Sequence, residues 1–294
     1  MLKTLIRRRA RALVGGDGSA PLAFLQPRGD PGLFGPQSEV WKVHADLLPM
    51  MIGGVGALVL QSLHPLALAG VWDHSGFRQD LRGRLARTAT FIAATSYGGS
   101  TMAEQALDRV RAIHARVRGV HADGRLYRAD DPHLLYWVHL AECWSFLRCH
   151  RAFVDPGMSR ARRDCYYAEM TLVARRLGCE PAALRGGRIA CTEEQVHADL
   201  LGYQAELEYS ARSAFVLDLL QNTPLAPGNP ALQRLLVQAA LAHLPAWAHP
   251  LLRRPAPGAW QRHALRAAVV AVGAPLRWAL DDGVAACARQ RVGV

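Results

Sequence analysis

Residues 47–72 read LLPMMIGGVGALVLQSLHPLALAGVW, a stretch without one Asp, Glu, Lys or Arg. A chargeless run this long invites reading as a membrane span, which needs about 20 apolar residues. Its interior argues otherwise. Gly53, Gly54 and Gly56 loosen the first half, and Gln61, Ser62, His64 and Pro65 put polar groups and a helix break where hydrocarbon would be deepest. Two buried core helices joined at Leu63-His64-Pro65 account for the run better. The fold is therefore expected to grow around a helical interior.

The flanking sequence carries the same period. Residues 81–97, 102–118, 132–153, 159–177, 192–221 and 231–244 lack proline after the first turn and place apolar side chains at i, i+3, i+4 and i+7. Ser159 suits a helix N-cap, and Thr192 with Gln195 suits a capping box. A further helical pattern over 264–280 is interrupted by Gly273 and Pro275. No stretch alternates with period two, and no GxGxxG after a strand, GxxxxGK[ST] or GxSxG occurs. Nucleotide-binding α/β folds and α/β-hydrolases lose their usual signatures, and an all-α fold is expected.

Upstream, Leu2, Leu5 and Ile6 precede Arg7, Arg8, Arg9 and Arg11, a basic arm rather than a secretory signal. Gly15, Gly16, Gly18, Pro27, Pro31 and Pro36 follow as a linker or an extended wrap. The expected organisation is an arm and Gly/Pro-rich linker over 1–36, a helical catalytic domain over 37–250, and a helical extension packed on it over 251–294.

Charge and cysteine content narrow the classes. Thirty-five basic against 24 acidic residues give +11 over 294 residues, and every basic residue except Lys3 and Lys42 is arginine. Such a balance suits nucleic acid or anionic lipid, but the arginines are scattered, so nucleic acid is not the expected partner. A weak peripheral contact of the N-terminal arm with lipid is expected instead. Half the residues are hydrophobic and 20% are charged, which excludes a disordered chain, a collagen and a coiled coil. Six cysteines without a CxxC pair exclude a zinc ribbon and a disulfide scaffold, and point to a reduced, cytoplasmic compartment.

Several polar residues interrupt apolar helix faces. Arg84 and Thr88 stand one turn apart with Arg87 beside them, able to hold a polar ligand or to form a solvated face. His114 lies in the apolar stripe of Val110, Ile113 and Val117, with Arg118 one turn later. That is what a haem-ligating imidazole needs and also what a core histidine looks like. His64 either projects into a cavity or ends a helix. Asp73-His74-Ser75 caps a helix or walls the same cavity, and His139 lies on an apolar helix. Glu194-Gln195-Val196-His197 is a single Glu-x-x-His turn, half of a di-iron carboxylate motif.

In order and spacing, these pieces resemble the family of the bacterial rubber oxygenases (latex clearing protein) and the MpaB oxygenases. The resemblance spans roughly 35–221. It rests on Leu60-Gln61-Ser62-Leu63-His64-Pro65, Ala69-Gly70-Val71, Asp73-His74-Ser75 and Gly83-Arg84-Leu85-Ala86-Arg87-Thr88. It continues through 114–119, Asp131-Pro132, Trp137-Val138-His139 and Tyr166-Tyr167-Ala168-Glu169-Met170. It implies a single globin-reminiscent bundle enclosing one b-type haem (iron), and a haem-dependent, dioxygenase-like oxygenase. Such an enzyme activates O2 for attack on, or cleavage of, a C=C bond in an apolar, isoprenoid-like substrate. His114 matches the proximal iron ligand, Arg118 a basic residue after it, and Arg84 and Thr88 the distal arginine and threonine. Arg87 stands where rubber-cleaving members carry a lysine able to reach iron, and the nearest polar distal candidates are His64, Asp73 and His74. Where those members have a distal glutamate, Leu66-Ala67-Leu68-Ala69 is apolar. A haem sensor or carrier without turnover, or a basic helical protein that binds lipid surfaces, remain the alternatives.

Overall fold

The structure, a computed structural model, describes residues 20–223, 229–280 and 283–294, so the basic stretch over 7–11 lies outside it. A short helix α1 (Glu39–Val43) opens the main body, capped by Ser38, whose hydroxyl accepts the Trp41 N–H. The chargeless run then folds as α2 (Leu47–Gln61) and α3 (Pro65–His74), bent 106° to one another. Asp46 caps α2. The His64 ring caps α3, its Nδ1 facing the Ala67 N–H at 3.5 Å, with Pro65 in the first helical turn, where it needs no N–H partner. The two-helix reading of the run holds. Among the described residues, no single helix is long and apolar enough to cross a membrane.

After α4 (Leu81–Tyr97) and α5 (Ser100–His114), strands β1 (Arg118–Val120) and β2 (Leu126–Arg128) pair antiparallel, Gly119 opposite Tyr127. Here the expectation of one helix over 102–118 is corrected. The helix ends at His114, and Gly124 at φ 87° lets the chain turn back. Three-residue strands are too short for alternation to show.

The central element is α6 (Pro132–Phe153), N-capped by Asp131 and packed along α2. Gly53 makes that approach possible: a Cβ there would lie 2.8 Å from the Phe146 ring and 3.1 Å from the Ser145 carbonyl oxygen. Next come α7 (Arg160–Leu177), capped by Ser159 as expected, and α8 (Glu193–Gly202). Thr192 accepts the Gln195 N–H, while the Gln195 side chain reaches back to the N–H of Cys191 rather than of Thr192. The helix expected over 192–221 is in fact two. The chain breaks after Gly202, and Ser210 with Ser213 forms a reciprocal cap that starts α9 (Ala211–Asn222).

Then follow α10 (Pro230–Ala242), α11 (Ala248–Leu251), α12 (Ala259–Ala279) and α13 (Val284–Val292). The interruption expected at Gly273 and Pro275 is absent, and α12 runs through both. Pro275 and Ala271 are exposed, so water can serve the carbonyl that proline leaves without an N–H. In all, 69% of the described residues are helical and the only sheet among them is the hairpin.

One apolar core runs from Val40 on α1 to Val269 on α12. A second cluster joins the Gly/Pro-rich section to the C-terminus: Phe24 packs with Trp41, Tyr97, Cys287 and Ala288. Buried Arg291 pins it, donating to the carbonyl oxygens of Phe24 (2.9 Å), Asp30 (2.8 Å) and Tyr97 (2.7 Å). Residues 20–36 thus wrap the domain rather than trail from it.

Candidate functional site

Helical spacing gathers the site. On α4, Phe91, Ile92 and Thr95 continue the face that begins with Arg84 and Thr88. On α6, Leu135, Val138, His139, Glu142 and Phe146 recur every three or four residues, as do Met170, Val173, Ala174 and Leu177 on α7. These faces and the C-terminal residue of α5, His114, line a narrow, partly enclosed cavity with about 50 Å³ of free space. As the side chains stand, that space admits little more than ordered water, and its walls are mostly apolar.

His114 is half-buried, and its Nδ1 is buried without a hydrogen-bond partner. Burial pushes its pKa down, the Arg84 charge acts in the same direction, and Asp130 opposes them. The imidazole is held neutral, the form that ligates metal. Arg84 is half-buried and donates to the Ser75 hydroxyl at 3.1 Å; burial, then the Arg87 charge, lowers its pKa from an ordinary value far above neutrality. It stays charged.

Other expected residues are placed differently. Thr88 is exposed, its hydroxyl donating to the Arg84 carbonyl at 3.2 Å. Arg87 is exposed, 3.8 Å from Asp80. Arg118 is not one helical turn beyond His114: it begins β1 and its guanidinium donates to the Ala115 carbonyl at 2.8 Å. Asp73 and His74 face Tyr127, whose hydroxyl donates to Asp73 at 2.6 Å.

His64 does not line the cavity. It is buried against Trp137 and Tyr203 and points into a cluster with His133 and Glu206. His133 Nε2 lies 2.8 Å from Glu206, His64 Nε2 lies 3.5 Å from the same oxygen, and Arg185 pairs with the other at 2.9 Å. Burial pushes His64 down to about 4 against the pull of Glu206. Burial would raise Glu206, but its bond to His133 and the charges of His133 and Arg185 outweigh that and lower it. Three potential ligand atoms lie within 4.8 Å of one another, a set compact enough for a divalent cation.

Two cavity residues carry no motif in the sequence. His44 has both ring nitrogens engaged, with Ser96 Oγ at 2.7 Å and Tyr166 Oη at 3.0 Å, and burial pushes it down to about 3. Among the described residues Glu142 has no hydrogen bond or ion pair, and burial pushes its carboxyl up to about 7. Its one sequence signal is its place three residues after His139, on the same apolar face. His139 itself sits 3.6 Å from the Cys143 sulfur, pushed down to about 4 by burial.

Among these side chains, one imidazole is available to hold a cofactor. His114 is neutral with a free buried nitrogen, whereas the nitrogens of His44 are spent. Residues 41–274 match the model of a family described as ER-bound oxygenase mpaB/B'/Rubber oxygenase, catalytic domain. No curated protein and no solved structure matches the chain.

Proposed function

The chain belongs to the family of the ER-bound oxygenase mpaB/B' and the rubber oxygenases, and from that premise we propose that it is a haem-dependent oxygenase attacking a C=C bond of an apolar, isoprenoid-like substrate. The observation that carries this is the neutral, unpartnered imidazole of His114 beside an apolar cavity. His114 would hold the iron of a b-type haem. Bound there, the group would supply dioxygen binding and activation.

The chain's own residues supply the rest. Arg84 lies outside the cavity wall but close enough for its charge to act on His114, and there it would stabilise negative charge developing on oxygen. Thr88 lies one turn along on the same face, and exposed Arg118, beyond its bond to the Ala115 carbonyl, would offer positive charge to the carboxylates of a haem. Arg87 has no lone pair to offer a metal, so it does not cap the site as a lysine would. Glu142 takes the acid–base work left open by the apolar 66–69 run, because a carboxyl titrating near neutrality can both hold and release a proton. His64 lies outside the cavity wall and is assigned no step.

His114→Ala, purified from haem-supplied cells, should lose the Soret absorbance and oxygen uptake together. Full haem loading in that variant would reject the assignment. Glu142→Gln should keep the haem spectrum and flatten the pH dependence of oxygen uptake around neutrality; an unchanged profile would remove Glu142 from the mechanism.

A further inference from the structure

A second concavity opens on the far side of α6, and its chemistry is of another kind. About 260 Å³ of space is lined by Arg148 and Arg151 of α6, His243 at the end of α10, and Arg262, His263 and Arg266 of α12, with no Asp or Glu in its wall. Four guanidiniums crowded without acids repel one another, and folding gains nothing from such a grouping.

Their existing partners leave most of that charge unanswered. Arg151 bonds Glu193 at 2.7 Å, but its Nε is buried without a partner. Arg262 donates only to the Pro257 carbonyl. Arg148 and Arg266 have no hydrogen bond or ion pair among the described residues. Burial, then the charge of Arg151 and further that of Arg262, lowers the pKa of Arg148; burial likewise lowers His243, where Arg148 and Arg262 add to it. Arg262 and His263 also close the first turn of α12, where the helix dipole already presents positive charge and the N-cap, Gly258, has no side chain to cover the free N–H groups.

We propose that this cleft binds a phosphate-bearing anion, a monoester or diphosphate, gripped by Arg148 and Arg266 with Arg151 and Arg262 beside them. A multiply charged tetrahedral oxyanion offers acceptors to several planar forks at once, which a lone carboxylate does not. The same chemistry is carried by soluble phosphate compounds and by lipid headgroups. Trp260, 83% exposed and one turn before His263, suits the second source.

The experiment compares the full-length protein with Arg148→Ala/Arg266→Ala. Neither residue bonds another described residue, so the fold should survive, and relief of repulsion should leave the ligand-free melting temperature equal or higher. Pyrophosphate is titrated calorimetrically at two salt concentrations, and flotation is run with phosphatidylcholine vesicles with and without phosphatidic acid. Wild-type binding in either arm, tighter at low salt and weakened roughly tenfold or more in the double variant, supports the site. Pyrophosphate binding assigns a soluble ligand. Retention only on phosphatidic acid vesicles, reduced by Trp260→Ala, assigns a headgroup. If the wild type binds in neither arm, or the double variant binds equally well, the proposal falls.

Discussion

At the residue scale, Glu142 is the side chain that polarity rules least expect, since a carboxyl on an apolar wall is ordinarily bonded. Its protonated form is the one the folded cavity favours, so its folded pKa of about 7 stands above the 4.5 of the free side chain. Its contribution to stability is therefore complete below about 4.5 and is lost as pH rises through about 7. Glu142→Gln should abolish that decline, and urea unfolding of both proteins at pH 5 and pH 8 measures it. Equal slopes would mean that water reaches the carboxyl freely. The sequence shows His114 because a histidine breaks a visible apolar stripe. It hides His44, whose partners Ser96 and Tyr166 lie 52 and 122 residues away. It misplaces Arg118 because nothing in the apolar period announces that α5 stops at His114.

At the element scale, periodicity located the ends of α4 and α6, where Asp80 and Asp131 cap clean apolar faces. It failed where short signals outweigh period: Asp123-Gly124 turns the hairpin, and Ser210 starts a new helix inside an unbroken apolar pattern. The Tyr-Tyr-Ala-Glu-Met stretch over 166–170 resolves into separate tasks. Tyr166 holds His44, Glu169 accepts the N–H groups of Glu39 and Val40 at the start of α1, and Met170 lines the cavity. Close packing of α2 on α6 depends on Gly53, so Gly53→Val should destabilise by about 2–3 kcal/mol through overpacking. Arg291→Ala strips three buried carbonyls of their donor and should cost about 3 kcal/mol. Denaturant midpoints at constant slope check both; a loss under about 0.5 kcal/mol would class either residue with ordinary surface positions.

At the scale of the whole molecule, the core crosses every boundary drawn from composition. Val269 of the C-terminal segment lies in the main cluster, and Cys287 and Ala288 share a cluster with Phe24. One dominant calorimetric transition is expected, and a chain ending at residue 250 should bind a hydrophobic dye and melt without cooperativity. A separate transition for the C-terminal segment would contradict this. The arginine excess looked diffuse along the chain because Arg148 and Arg266 are 118 positions apart; only the packing of α12 near α6 concentrates it.

The 106° elbow between α2 and α3 bears on how the protein is made. The first of its greasy arms, α2, leaves the ribosome about ninety residues before α6, the surface it packs against, is complete. At cellular elongation speeds that leaves an interval of roughly 5–20 s in which a sticky nascent hairpin has nowhere to dock. Holding chaperones, or a slowed message between codons 61 and 153, should therefore set the soluble yield more strongly than the stability of the finished fold.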